Sequence, residues 1–406
     1  MDKIKLHILQ EWPSTFRTQT EDVDSLIGLP YPYSVSAVNR ETIFQEMYYW
    51  GTYFTNTGLI NNGFLAQAKN NVDNMLYMIG RFGFVPNANR TWLTVCSQPP
   101  FLSQMVADIY EKTGDKTWLQ KAYDGLCVEY NFWQTKRITE SGLNRYYGVG
   151  FDVKEFVEEF CNRTKRPLPL AEEELSYAES SIAGCESGWD FSSRCDMYNQ
   201  ECNWVDLNCL LFGIERNMAY FCNEIGHDAT VWQERANRRA ELIRKLMWND
   251  ELGVFCDYDY VNKKQKTLIS QAMYYPLYVG LATKEEAKKT IEALKKLEYR
   301  YGVSACENRE DIRLLQWDYP YNWPCQQYLT VRALERYGYI EDAKRIAEKN
   351  LGLMRLNFEK TGRLWEKYNA VTGEITHAVD YNTPPLLGWS AATYLYFLHL
   401  VEEQEK

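Results

Sequence analysis

Three helix-like runs of this 406-residue chain end on the same punctuation at one spacing. Tyr110-Glu-Lys-Thr-Gly114, Cys222-Asn-Glu-Ile-Gly226 and Leu334-Glu-Arg-Tyr-Gly338 place their glycines 112 residues apart, and Gly280 sits roughly midway in the second interval. Glycine suits a helix C-cap because that position takes φ > 0, and an Asp or Thr then caps the helix that follows. Four such turns predict stacked helical hairpins with a repeat near half of that spacing, and six hairpins closing on themselves make an (α/α)6 barrel. A seven-helix bundle or an open solenoid is the alternative arrangement.

Period-3.6 patterning predicts helices over Glu41 to Thr55, Gly63 to Arg81, Pro100 to Lys112, Thr117 to Thr135, Asp206 to Glu224, Thr230 to Trp248, Lys284 to Leu297, Pro324 to Arg336, Ile340 to Leu351 and Leu386 to Glu402. Alternation of period two is scarce, so the class is all-α. The stretch Gly142 to Asn203 is rich in charge, Gly and Pro, and a segment that long without periodicity is usually functional or disordered. It is expected to form an irregular insertion at about residues 140–203, a long loop capping the active-site end of a single domain spanning 1–406. Barrels commonly exceed 250 residues as one domain, so length does not force a split.

The net charge of −10 disfavours a nucleic-acid partner, since binding phosphates needs a basic face. Met1 to Arg17 lacks the apolar core and cleavage site of a secretory signal, and no run of about 18 apolar residues follows, so the expectation is a cytoplasmic chain away from membranes. The 11 cysteines are odd in number and contain no C-x-x-C pair, which reads as free thiols without a disulfide framework or zinc site. His7, His227, His377 and His399 are never at metal spacing, and Asp257-Tyr-Asp259 lacks the Gly and distal Glu of a calcium loop. No metal and no organic cofactor is expected. Aromatics make up 15% of the chain, and rings with a polar handle suit sugars as well as helical cores.

Glycoside hydrolysis needs a protonated carboxyl at the leaving oxygen and a second carboxylate as base or nucleophile. Suitable acids stand among aromatics and glycine, away from charge-laced helix faces. Gly188-Trp189-Asp190-Phe191 offers one, where flanking rings desolvate the carboxyl; Arg363-Leu-Trp365-Glu366-Lys367-Tyr368-Asn369 offers the other, just before a turn at Thr372-Gly373. Taken alone, each also reads as a capping Asp or a Glu paired with Lys.

Gly188-Trp-Asp190-Phe-Ser-Ser-Arg194, Gln316-Trp-Asp318-Tyr-Pro320-Tyr-Asn-Trp323, Glu366-Lys-Tyr368 and Gly388-Trp389-Ser resemble motifs of the trehalase family of glycoside hydrolases, family 37. Glu46-Met-Tyr48-Tyr-Trp50, Pro86-Asn-Ala-Asn-Arg90, Ser97-Gln-Pro-Pro100, Val205-Asp-Leu-Asn208 and Asp257-Tyr-Asp259 do so as well, in family order from about residue 27 to 398. The resemblance implies an inverting α-glycoside hydrolase on the helical barrel, with Asp190 as general acid and Glu366 as general base. It marks Trp50, Asn87, Arg90, Gln98, Trp189, Arg194, Gln316, Trp317, Asp318, Trp323 and Trp389 as candidates for substrate binding. The sequence departs from the family pattern where arginines are replaced by Ile43 and Cys96, an Asp by Gly51 and a Gly by Asn322. Those departures point away from trehalose towards another small α-linked disaccharide or glucoside. A glucosyl- or mannosyl-glycerate hydrolase and a non-catalytic sugar-binding barrel are the alternatives; retention of both acid motifs favours an enzyme.

Overall fold

A computed structural model describes residues 2–39, 43–164, 166–196, 198–310, 315–375 and 382–402. Among them run fourteen α-helices: α1 Lys3–Glu11, α2 Tyr49–Asn61, α3 Leu65–Phe82, α4 Leu102–Thr113, α5 Lys116–Lys136, α6 Val153–Thr164, α7 Glu174–Ser187, α8 Val205–Ile225, α9 Thr230–Met247, α10 Tyr275–Tyr278, α11 Lys284–Glu292, α12 Pro324–Arg336, α13 Ile340–Thr361 and α14 Gly388–Glu402. The strands between them are two residues long and pair locally.

Helix α2 packs on α4, α4 on α8, α8 on α10, α10 on α12, α12 on α14, and α14 returns to α2. Six inner helices therefore close a ring. Helices α3, α5, α9, α11 and α13 each follow their inner partner on the outside, and α1 packs against α14. The result is the (α/α)6 barrel. Burial agrees with that placement: α2 hides every residue from Tyr49 to Asn56, whereas α3 hides a stripe, Gln67, Ala68, Asn71, Val72, Asn74, Met75, Met78 and Ile79. A helix covered on all sides belongs to the inner layer, and one with a single apolar stripe to the outer.

The glycines do what their spacing predicts. Gly114, Gly226, Gly280 and Gly338 have φ of +61°, +79°, +72° and +80°, each between an inner helix and its outer partner. Gly63, at +90°, makes the same turn between α2 and α3. The first 112-residue interval is not two repeats, however. It holds one hairpin plus α6 and α7, and its match to the second interval is a coincidence of insertion length.

Helices α6 and α7 correct the expectation of an irregular insertion at about 140–203: Val153–Thr164 carries an amphipathic pattern that the surrounding Gly and Pro obscure. The helix expected from Glu41 starts instead at Tyr49. Residues 41 and 42 lie outside the described residues, and Phe44 has φ +66°, incompatible with a right-handed helix. Helix α13 continues past Leu351 to Thr361, because Gly352 is tolerated inside it and the stop is Gly362 at φ +68°. None of the eleven cysteines is joined in a disulfide, and nine are buried. Among the described residues no helix is long and apolar enough to cross a membrane.

Candidate active site

At the end of the barrel where α2, α12 and α14 begin, a pocket of about 680 Å³ opens. Its wall contains Asp190 and Glu366, together with Trp50, Asn87, Arg90, Gln98, Trp317, Trp323 and Trp389. Nine of the sequence candidates thus meet in one place. Trp189, Arg194, Gln316 and Asp318 are buried and are not among its lining residues.

Asp190 is delivered by the end of α7. Gly188 caps that helix at φ +72°, and a Cβ there would stand 2.2 Å from Trp50 Cε3, so glycine alone lets the turn seat against the Trp50 ring. Ser187 Oγ accepts from Trp189 N at 3.0 Å, and the buried Trp189 ring packs on Trp317 with centroids 5.6 Å apart. The next residue, half-buried Asp190, reaches the wall. Phe191 then takes φ +64°, a conformation that costs a non-glycine residue on the order of 1–3 kcal/mol and must be held by its surroundings.

What holds it is Asp318, which accepts from Ser192 Oγ at 3.2 Å, Ser193 N at 2.9 Å, Ser193 Oγ at 2.8 Å and Leu315 N at 3.0 Å. Burial raises the Asp318 carboxyl above its ordinary range, and these donors oppose the shift. Gln316 Nε2 donates to the Asp190 carbonyl at 3.2 Å and to Oδ2 at 3.3 Å. Arg194 ties the far side of the segment to Asp257, at 2.8 and 3.0 Å, and to Asp206 at 3.0 Å, between the rings of Trp189 and Trp204. Before α7 ends, Glu186 pairs with Arg137 through two bonds of 2.7 Å and accepts from Ser97 N and Tyr147 N. Gln316, Asp318 and Arg194 therefore position the acid segment and do not face the pocket.

Glu366 sits shortly after the end of α13, on the long connection to α14. Its amide donates to Pro384 O at 3.1 Å, and its carbonyl accepts from Trp389 Nε1 at 2.9 Å. The strand Tyr368–Asn369 pairs antiparallel with Tyr321–Asn322, tying the Glu366 segment to the one bearing Trp317 and Trp323. Lys367 Nζ lies 2.6 Å from Glu366 Oε2, with both side chains buried, and 4.7 Å from the Trp323 ring. A buried carboxylate needs such a partner.

The tryptophans form one continuous wall. Trp317 and Trp323 stack at 3.6 Å and 4°, Trp50 meets Trp317 at 5.5 Å, and Trp389 meets Trp50 at 6.2 Å and Trp323 at 5.9 Å. The polar candidates are engaged in holding loops: Asn87 Nδ2 donates to Ser97 O and Cys185 O, Gln98 Oε1 accepts from Trp50 N, and Arg90 donates to Glu46 and Ser25. Phe44, Glu46, Trp92, Leu93, Phe160 and Phe191 also line the pocket and were not singled out from the sequence. Glu46 and Phe191 stand in recognised motifs and carry a legible signal. Of the departures, Ile43 and Gly51 are on the wall, Cys96 is buried beside Asn87, and Asn322 is buried, donating to Tyr301 O and Asn350 Oδ1. Among the described residues no cluster of three His, Cys, Asp or Glu is placed to hold a metal ion.

Residues 4–402 match the family model described as Trehalase. The chain is 30% identical over 98% of its length to a periplasmic trehalase of Xanthomonas axonopodis pv. citri, covering 73% of that protein. It is 31% identical over 99% of its length to a periplasmic trehalase of Escherichia coli O1:K1 / APEC, covering 75% of it. Among solved structures, neutral trehalase Nth1 from Saccharomyces cerevisiae superposes with a TM-score of 0.79 at 28% identity, over 91% of this chain and 73% of that one. The bacterial relatives are named periplasmic, which overturns the expectation of a cytoplasmic chain.

Proposed function

The chain belongs to the trehalase family and is a glycoside hydrolase, and from that premise we propose that it cleaves a small α-glycoside with inversion, Asp190 acting as general acid and Glu366 as general base. The observation that carries this reading is that the two carboxyl residues share one pocket wall with five tryptophans. Protonated Asp190 gives its proton to the departing glycosidic oxygen. Glu366 takes a proton from a water attacking the anomeric carbon from the opposite face, so the C–O bond breaks as the new one forms. Lys367 pairs with the base in its buried position, and the tryptophan wall excludes bulk water from the reacting atoms. The names of the bacterial relatives support a periplasmic site of action.

The departures support a substrate other than trehalose. Ile43 and Gly51 bring neither charge nor hydrogen-bonding side chain to the wall, so two partners for sugar hydroxyls are missing there. A panel of α-linked disaccharides and simple α-glucosides, assayed for released monosaccharide, tests the assignment. Release from at least one is expected; release from none would overturn it.

A further inference from the structure

A general acid stands beside the departing oxygen, so, on the reading proposed above, the leaving group lies on the Asp190 side. Rings crowd that side, beside the polar side chains of Asn87, Arg90 and Glu46. Phe191 follows Asp190 directly, and its ring centroid is 5.8 Å from that of Phe160, both residues lining the pocket. The Arg166 guanidinium lies 4.0 Å over the Phe191 ring and fixes it. A second cavity of about 40 Å³ shares Trp92, Leu93, Phe160 and Cys185 with the first and continues between Val95, Phe156 and Ile182, with exposed Glu159 also on its wall. Among the described residues the cation on the main wall is Arg90, which already donates to Glu46 at 2.7 Å and to Ser25 at 2.9 Å. A sugar leaving group would bring several hydroxyls against these rings, and burying a hydroxyl without a partner is unfavourable.

We propose that the leaving group is an apolar alcohol, so that the substrate is an alkyl or aryl α-glycoside, and that Trp92, Leu93, Phe160 and Phe191 set this preference. Hydrolysis then consumes one water: the acid's proton goes to the alcohol oxygen, the water's proton to the base, and free sugar and free alcohol leave.

Ethyl and hexyl α-D-glucopyranosides, with the matching mannopyranosides, test this cleanly, because the paired alcohols are nearly equal leaving groups and differ only in apolar length. Each buried methylene is worth roughly fourfold, so burying two of the four extra ones gives the hexyl compound at least about a tenfold higher kcat/KM. The same ratio is expected in binding to Asp190→Asn measured by calorimetry, where no turnover intervenes. Leu93→Asn and Trp92→Ser, both at partly exposed positions, should lower the ratio; an unchanged ratio in both would overturn the part assigned to these residues. Hexyl glycosides bound no tighter than ethyl in both sugar series would overturn the apolar subsite. Tighter hexyl binding with neither compound cleaved by the unaltered protein would uphold the apolar subsite and overturn alkyl α-glycosides as the substrate.

Discussion

Asp318 fastens Ser193 through both carboxylate oxygens, Oδ1 accepting from the amide at 2.9 Å and Oδ2 from the hydroxyl at 2.8 Å, three residues beyond Asp190. The strained turn at Phe191 lies between the two. Asp318→Ala leaves these donors unpaired and frees the acid segment, so kcat should fall roughly 10–10²-fold, as small misplacements of reacting groups do, with a smaller change in KM. Asp318→Asn keeps acceptor oxygen and should recover part of the loss. Steady-state kinetics of the pair check this, and full activity in Asp318→Ala would show that the segment holds itself.

Why Asp318 reads as a site residue from sequence, and yet stands behind the site, has a physical explanation. Motif spacing brings residues into one neighbourhood without saying which way a side chain turns. In Trp189-Asp190 the ring turns into the core and the carboxyl to the wall; in Trp317-Asp318 the ring lines the pocket and the carboxyl holds the facing loop. The barrel was legible because a left-handed cap leaves a local mark, Gly, at each hairpin, as Gly114, Gly226, Gly280 and Gly338 do. Helix α7 carries that mark too, at Gly188, but the Gly and Pro around it and α6 obscure the pattern. The apolar residues of the leaving-group side, Leu93 and Phe160, are ordinary core residues in sequence and gain meaning only from the cavity they border.

At Gly51 an added Cβ would meet Ser36 Oγ at 3.7 Å, Tyr48 Cβ at 3.9 Å and Trp389 Cε3 at 4.0 Å, ordinary contacts that leave room for a side chain. Trehalose should be a poor substrate of the unaltered protein, with kcat/KM below about 10⁴ M⁻¹s⁻¹, the lower end of the usual enzyme range. Gly51→Asp restores a carboxylate on the sugar side, and a hydrogen bond to a charged group contributes about 1.5–3 kcal/mol, so glucoside hydrolysis should rise about tenfold or more. A fall in glucoside activity would mean that the substrate uses the space itself.

Burial lifts the Glu129 carboxyl to about 7, and the Tyr49 hydroxyl, donating at 2.6 Å, opposes the lift. The folded chain therefore binds this proton more tightly than the unfolded chain. Its contribution to stability is present below about pH 4.5, declines as pH rises towards about 7, and is then lost, a change of about 3 kcal/mol. Urea unfolding of wild type and Glu129→Gln at pH 5 and 8 should show the wild type losing more stability across that interval. Parallel losses would contradict it.

Inversion has a direct signature. With water held between Glu366 and the anomeric carbon, the first product formed from an α-glycoside is the β-anomer. Proton NMR of the early reaction should detect it before mutarotation; α-anomer appearing first would assign a retaining mechanism.

The central claim, that Asp190 and Glu366 carry the two proton transfers, is tested most directly by kcat of Asp190→Asn and Glu366→Gln on the best substrate of the panel, measured beside ligand affinity. Each change removes one proton-transfer role and little volume, so kcat should fall about 10²–10⁴-fold while ligand affinity stays near wild type. Either variant keeping more than about a tenth of the wild-type rate would contradict its assignment.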